Sequence, residues 1–177
     1  MLIGYITIFL LIGFDQLVKL LSLIFRSDAG SLIKVIIPNV FEFHYIENYG
    51  ASFGMFQGAQ FVFALVTIFS LILFGFLFFD GNFKTKKIYS YGISLIIAGT
   101  FGNTVDRLFR GGGVIDMISM PILDKFLDLF GIGDFIFNVA DFYMTLGIIL
   151  FVIDIVFLER KRDDKNDKQA EELITAE

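Results

Sequence analysis

The chain has 177 residues, no Cys and a single His; 56% of its residues are apolar or aromatic and only 19% are charged. Soluble domains carry about 25% charged residues, so a chain this apolar, with a mean hydropathy of +0.76, reads as a membrane protein. A net charge of −5 argues against nucleic acid as a partner, since phosphate binding needs clustered Lys and Arg. Without Cys there are no disulfides, thiolate metal sites or cysteine nucleophiles, and the lone His44 cannot build a multi-histidine metal site. Catalysis, if present, must rest on carboxylates, hydroxyls or Lys, with no metal or cofactor expected.

Crossing a bilayer core about 30 Å thick takes roughly 20 residues of helix. Four stretches of that length appear in chain order: about 2–25, interrupted by Asp15, Gln16 and Lys19; about 61–79, almost wholly apolar; about 88–106, running from Ile88 through Gly99 toward Arg107; and about 135–158, interrupted by Asn138, Asp141 and Asp154. The first lacks the basic leading region of a signal peptide and holds ionisable groups within its apolar run, so it is read as a helix of the mature protein. Lys84, Lys86 and Lys87 between the second and third stretches, and Arg160, Lys161 and Arg162 after the fourth, mark cytoplasmic ends. Both termini then lie in the cytoplasm, and the segments at about 26–60 and 107–134 are extracytoplasmic.

The first of these segments, from Ser31 to Phe56, is rich in Ile, Val, Phe and Tyr, alternates through Phe41-Glu42-Phe43-His44-Tyr45, and is punctuated by Pro38-Asn39 and Asn48-Tyr49-Gly50. That pattern predicts a small β-structure on the outer membrane surface, with His44 as a strand surface residue. In the second, Leu123, Phe126, Leu127 and Phe130 share one helical face and Asp124, Lys125 and Asp128 another. A short interfacial helix with a solvated acidic face is expected over Pro121–Phe130. The predicted fold is an all-α integral membrane protein with four transmembrane helices, a small extracytoplasmic β-structure and a short interfacial helix. One domain spans 1–158, and a solvated cytoplasmic tail occupies 159–177.

A charged group at the centre of a span costs about 2.5–3.5 kcal/mol on insertion scales, so each one needs a partner or a role. Asn103 lies three residues before Asp106 and four before Arg107, and Asn138 three before Asp141, so each group shares a face if the helices extend that far. Two facing, partly desolvated carboxylates cannot both ionise: one keeps a proton as general acid while the other activates water. Asp116 and Asp141 fit that use, since each follows small or β-branched apolar residues and has no adjacent Lys or Arg. Asp106, followed by Arg107 and with Arg110 one turn on, reads as part of an ion-pair network. Asp15 and Lys19, four apart, read as an internal ion pair, and Asp154 lies near enough to the cytoplasmic end to reach water. Gly111-Gly112-Gly113 predicts a flexible turn that lets Asp116 swing inward.

One string is a decoy. Gly131-Ile132-Gly133-Asp134 matches the GxGD motif of presenilin-type intramembrane proteases, but it falls in an exported segment and the chain contains no Tyr-Asp. Asp134 is read as a loop residue.

The motifs together resemble the lipoprotein signal peptidases, the type II signal peptidases of bacteria. The resemblance rests on Asp15, Gln16 and Lys19; on Asn48, Gly50, Ala51 and Phe53; on Gly102, Asn103, Asp106 and Arg107; on Gly112 or Gly113 through Asp116 and Met117; and on Phe137, Asn138, Ala140 and Asp141. Ser52 stands where many members have a second Ala, and Ala98 where the first of two Gly is usual. The resemblance implies an aspartic endopeptidase at the outer face of the cytoplasmic membrane that cuts prolipoproteins before a diacylglyceryl-modified Cys. It implies Asp116 and Asp141 as the catalytic pair, Asn48, Gly50, Asn103, Arg107 and Asn138 as substrate-positioning or pair-positioning residues, and Asp106, Asp15 and Lys19 in support. Prolipoproteins and membrane lipid are the implied partners, and a monomer is expected. The rival reading is a small transporter component that moves protons or ions along Asp15, Lys19 and Asp141; a third makes the chain a structural scaffold.

Overall fold

The computed structural model describes residues 1–26, 32–50, 60–111, 113–131, 135–162 and 175. Ala51, Ser52, Phe53, Gly112, Ile132, Gly133, Asp134 and residues 163–174 of the tail lie outside the described residues. Five α-helices and four strands follow in the order α1 (Leu2–Phe25), β1 (Leu32–Ile37), β2 (Phe41–Asn48), α2 (Gln60–Phe79), α3 (Lys87–Phe109), β3 (Val114–Ser119), α4 (Pro121–Leu127), β4 (Ile136–Phe137) and α5 (Val139–Ile153). The last helix widens into a π-helical turn at Asp154–Glu159.

Three of the helical segments are long and apolar enough to cross a membrane: Leu2–Phe25, Phe61–Phe79 and Val139–Arg162. Their outward faces carry large apolar side chains, with Phe9 on α1 and Phe76 on α2 each 77% exposed, a pattern that suits lipid and not water. α3 is not among them, and the reason is its position. It packs against α1, α2 and α5, so protein surrounds most of its surface and its inward positions need not be apolar; Ser90, Ser94, Thr100, Asn103 and Asp106 are all buried. Small residues let α3 and α5 approach closely: a Cβ on Gly147 would lie 2.7 Å from the carbonyl oxygen of Gly92. At one end of the bundle the packing is aromatic and aliphatic, with Phe78, Phe83, Tyr89, Ile93 and Ile97 clustered and Phe74 and Phe151 against them.

At the other end lies a four-stranded antiparallel sheet in the order β1-β2-β3-β4. The β1–β2 hairpin closes through Pro38-Asn39-Val40, where Asn39 takes a φ of 60°, a left-handed conformation that Asn tolerates better than most residues. β1 is an exposed edge, whereas β3 is buried along nearly its whole length. Ile46 pairs with Asp116 and Asn48 with Val114, while at the far end of β3 Ile118 pairs with Phe137 and Ser119 with Ile136. The short β4 thus returns the chain to the sheet just before α5 begins. His44 lies in β2 with its ring 3.1 Å from Glu42 Oε2.

Several expectations are corrected. The fourth apolar stretch is not helical from residue 135: Ile136–Phe137 pair with β3, and the helix starts at Val139. The expected interfacial helix is present as Pro121–Leu127 followed by a 3-10 turn at Asp128–Phe130. Its Asp124, however, is buried and accepts the Phe135 backbone N–H at 3.0 Å, instead of joining a solvated face, because the chain folds back past it. Asp154 does not reach water either; it is 1% exposed and held by both terminal nitrogens of Arg162 at 2.9 and 2.6 Å.

Candidate active site

The site is built where β3, α3 and α5 converge, and Asn138 is its hinge. Asn138 is the N-cap of α5 and not one of its helical residues, which corrects the expectation that it shares a helical face with Asp141. Its Oδ1 accepts the Asp141 backbone N–H at 2.9 Å, and Asp141 Oδ2 accepts the Asn138 backbone N–H at 3.2 Å. This reciprocal capping satisfies a donor that a helix start would otherwise leave without a partner. It also fixes the Asn138 amide, because a backbone N–H can only donate; Oδ1 must face Asp141, and Nδ2 is aimed at Asp116 Oδ1, 2.7 Å away.

Two further amides are oriented in the same manner. Asn48, at the end of β2, accepts the Gly50 N–H at 2.9 Å and donates to Asp116 Oδ2 at 2.9 Å. Asn103, on α3, accepts from the Lys19 ammonium at 2.9 Å and donates to Asp141 Oδ1 at 2.8 Å. In each case an obligate donor holds the amide oxygen, and the N–H₂ points at a carboxylate. Asp116 and Asp141 are thereby fixed by amides that carry no charge.

Behind this pair sits a closed cluster. Lys19, fully buried on α1, lies 3.0 Å from Asp15 Oδ2 and 2.8 Å from Asp106 Oδ2. Asp15 Oδ1 accepts the Ala140 N–H at 3.0 Å, joining α1 to the first turn of α5, and Asp106 Oδ2 accepts the Ile115 N–H at 3.2 Å, joining α3 to β3. Arg110 Nε completes the cluster 3.1 Å from Asp106 Oδ1, and Gln16 bridges Asp15, the Gly102 carbonyl and Asp106. The α1–α3 approach is tight here, since a Cβ on Gly102 would lie 2.6 Å from Asp15 Oδ2.

Arg107 takes no part in that ion-pair network, contrary to the expectation from its neighbour Asp106. One residue further along α3, it points about 100° away and lays its guanidinium over the Phe63 ring at 4.9 Å. It faces a cavity of about 230 Å³ that Asn48, Gly50, Asn103, Asp116, Asn138 and Asp141 also line. Ten residues chosen from sequence are therefore divided: seven border the cavity, and Asp15, Lys19 and Asp106 lie behind it. Sequence reasoning did not include Phe63, Thr67 and Ser70 of α2 or Thr100 and Met144, which line the cavity too. The first three follow the i, i+4, i+7 spacing of one helix face, a signal that was available.

Burial, and next the charge of Asp141, push the Asp116 carboxyl up from its ordinary 3.8 to about 7. The arrangement offers a carboxyl that keeps its proton near neutral pH beside a second carboxylate, with open space in front of both.

A family model described as signal peptidase (SPase) II matches residues 7–157. Among curated proteins, the lipoprotein signal peptidase of Clostridioides difficile is 36% identical over 157 residues, covering 87% of this chain and 95% of that protein. The lipoprotein signal peptidase of Streptococcus agalactiae serotype Ia is 38% identical over 152 residues, covering 86% and 90% respectively. Among solved structures, a bacterial membrane enzyme determined by the in meso method at 2.3 Å resolution aligns with a TM-score of 0.72 and 30% identity, covering 86% of this chain and 87% of that one.

Proposed function

The chain belongs to the signal peptidase II family, and from that premise we propose that it is an aspartic endopeptidase of the bacterial cytoplasmic membrane. It cuts prolipoproteins on the N-terminal side of a diacylglyceryl-modified Cys, with Asp116 and Asp141 as the catalytic pair. The observation that carries this reading is Asn138, whose side chain bonds Asp116 at 2.7 Å while its backbone N–H bonds Asp141 at 3.2 Å, so that one residue ties both carboxylates to one cavity.

The chemistry follows from one proton held between two carboxylates. Asp116 keeps it. Asp141, at the start of α5, is the charged partner and accepts a backbone N–H and the Asn103 amide. Asp141 takes a proton from water as the water oxygen attacks the scissile carbonyl carbon, and Asp116 gives its proton to the carbonyl oxygen. In the tetrahedral diol that results, Asp141 returns its proton to the amide nitrogen, Asp116 takes one from a hydroxyl, and the C–N bond breaks. The pair ends in its starting state, with a new carboxyl group on the signal peptide and a free amine on the lipidated Cys. Asn103 and Asn138 hold the pair in register. Asn48, Gly50 and Arg107 face the cavity, where they can meet an extended substrate backbone, and Asp15, Lys19 and Asp106 hold the elements that carry the site.

In this reading four helices cross the membrane, α3 as the central one. Its 23 residues reach about 35 Å at 1.5 Å per residue, enough for the bilayer core. Both termini and the Lys84–Lys87 turn are cytoplasmic, the sheet and α4 lie at the outer face, and one domain extends over 1–158. Substrate reaches the cavity from lipid, and a monomer suffices. The transporter reading is not favoured, since Asp15 and Lys19 are both 0% exposed and locked to each other.

The test compares a diacylglyceryl peptide with its unlipidated twin, using wild type, Asp116→Asn and Asp141→Asn. We expect cleavage of the lipidated peptide alone, with at least a thousandfold loss in either variant, the scale on which a general acid or base contributes. Normal processing by either variant would overturn the aspartic mechanism, and equal cutting of both peptides the substrate class.

A further inference from the structure

α2 is almost wholly apolar over Gln60–Phe79, yet it carries two hydroxyls, Thr67 and Ser70. Both line the cavity of the carboxylate pair, below Phe63 on the same face of the helix. Elsewhere in the helices Thr7, Ser22, Ser90, Ser94, Thr100 and Thr104 each return the hydroxyl to a carbonyl three or four residues back, whereas the exposed Thr145 of α5 shows no such bond among the described residues. That is the usual way to satisfy an O–H away from water. Thr67 and Ser70 do not do so: among the described residues neither hydroxyl has a hydrogen-bond partner, and both are half-buried against the cavity. Ser70 is seven residues along from Phe63, so these hydroxyls line a wall that runs roughly 10 Å down α2 at 1.5 Å per residue.

What they would meet follows from the substrate proposed above, and the inference rests on that reading. A signal segment that crosses lipid as a helix pairs all its backbone groups internally. Attack on the scissile amide requires an extended chain in front of Asp116 and Asp141, so the substrate helix has to end below them. A helix end leaves its last four carbonyls unpaired, and hydrocarbon offers them nothing. We propose that Thr67 and Ser70 receive the C-terminal turn of the signal helix, donating their hydroxyls to its unpaired carbonyls, and so set the depth at which the substrate helix stops. The two residues are positioning groups; they do not touch the reacting atoms.

The experiment uses the full chain in lipid bilayers with two substrates: a complete prolipoprotein, and a short diacylglyceryl peptide that keeps the cleavage site but lacks the apolar helix. The double variant Thr67→Val with Ser70→Ala is expected to lower kcat/KM for the complete precursor about tenfold, mainly through KM, the worth of two hydrogen bonds of ordinary net strength. Turnover of the short peptide should stay within twofold. Thr67→Ser, which keeps a hydroxyl, should retain wild-type activity on both. An equal loss on both substrates, or no loss on the complete precursor, overturns the proposal. If the wild type cuts neither substrate, the peptidase reading fails first and takes this inference with it.

Discussion

The protein encloses two pairs of carboxylates and treats them in opposite ways. Asp15 and Asp106 are fully buried with Lys19 between them at 3.0 and 2.8 Å, and Arg110 adds a second cation at 3.1 Å from Asp106. Two positive charges balance two negative ones, and the remaining lone pairs accept backbone N–H groups from Ala140 and Ile115. Asp116 and Asp141 are held by Asn48, Asn103 and Asn138 instead, amides that orient a carboxylate without neutralising it. The first arrangement joins helices; the second, with no cation bonded to either carboxylate among the described residues, favours holding a proton, which the proposed hydrolysis uses. The two are wired together, since Lys19 also grips Asn103 Oδ1 and thereby sets which end of that amide Asp141 meets.

The harshest way to break the contrast is to make the compensated pair uncompensated. Lys19→Met leaves two carboxylates buried without their shared cation, and removing one partner of such a cluster costs about 3–5 kcal/mol. We expect a large fall in the thermal midpoint in lipid or detergent. The neutral triple variant Asp15→Asn, Lys19→Met, Asp106→Asn should recover most of it, since Arg110 is a quarter exposed and can turn to water. A Lys19→Met protein as stable as wild type would show that charge balance is not what the cluster supplies.

A milder change acts on the residue that joins Asp116 to Asp141. Asn138→Ala removes the α5 N-cap, worth about 1 kcal/mol, and frees Asp116 from its 2.7 Å bond. A shift of about 1 Å in a reacting group costs on the order of a hundredfold in rate, and kcat should fall by that amount. Asn138→Asp separates the two effects. Aspartate caps a helix as well as Asn does, so stability should persist, while the added negative charge beside Asp116 should leave activity low. Recovery of kcat in Asn138→Asp would mean that only the cap matters.

How far the chain could be read ahead of its structure depends on range. Apolar runs marked α1, α2 and α5, because lipid-facing surface must be apolar whatever the tertiary fold. Asp116 and Asp141 stood out for lack of any adjacent base, and both line the cavity. What escaped depended on chain returns or helical phase. Asn138 had the spacing of a helical neighbour of Asp141, but β4 pairing halts the helix before it. Asp124 appeared solvated until Phe135 came back to it, and Asp154 meets Arg162 eight residues away, across a widened π-helical turn. Of the two bases read beside Asp106, Arg110 at i+4 joins it and the adjacent Arg107 does not, because one residue along the helix turns it about 100° away.

The smallest expected effect lies in how the Asp116 carboxyl responds to pH. Asp116 has its carboxyl pushed from 3.8 to about 7 in the folded protein, and in the proposed mechanism it can serve as the acid only while protonated. Therefore kcat/KM for the lipidated peptide should fall about tenfold per pH unit above neutrality, and fall again at low pH where Asp141 takes up a proton and can no longer act as the base. The same shift has a consequence for stability with a definite sign. An unfolded chain releases this proton near 3.8 and the folded protein only near 7, so folding gains from holding it at low pH and loses that gain as pH rises through about 7. Asp116→Asn, which cannot ionise, should make the thermal midpoint less sensitive to pH across that interval. Identical pH profiles in wild type and Asp116→Asn would place the proton elsewhere and dissolve the distinction between the two pairs.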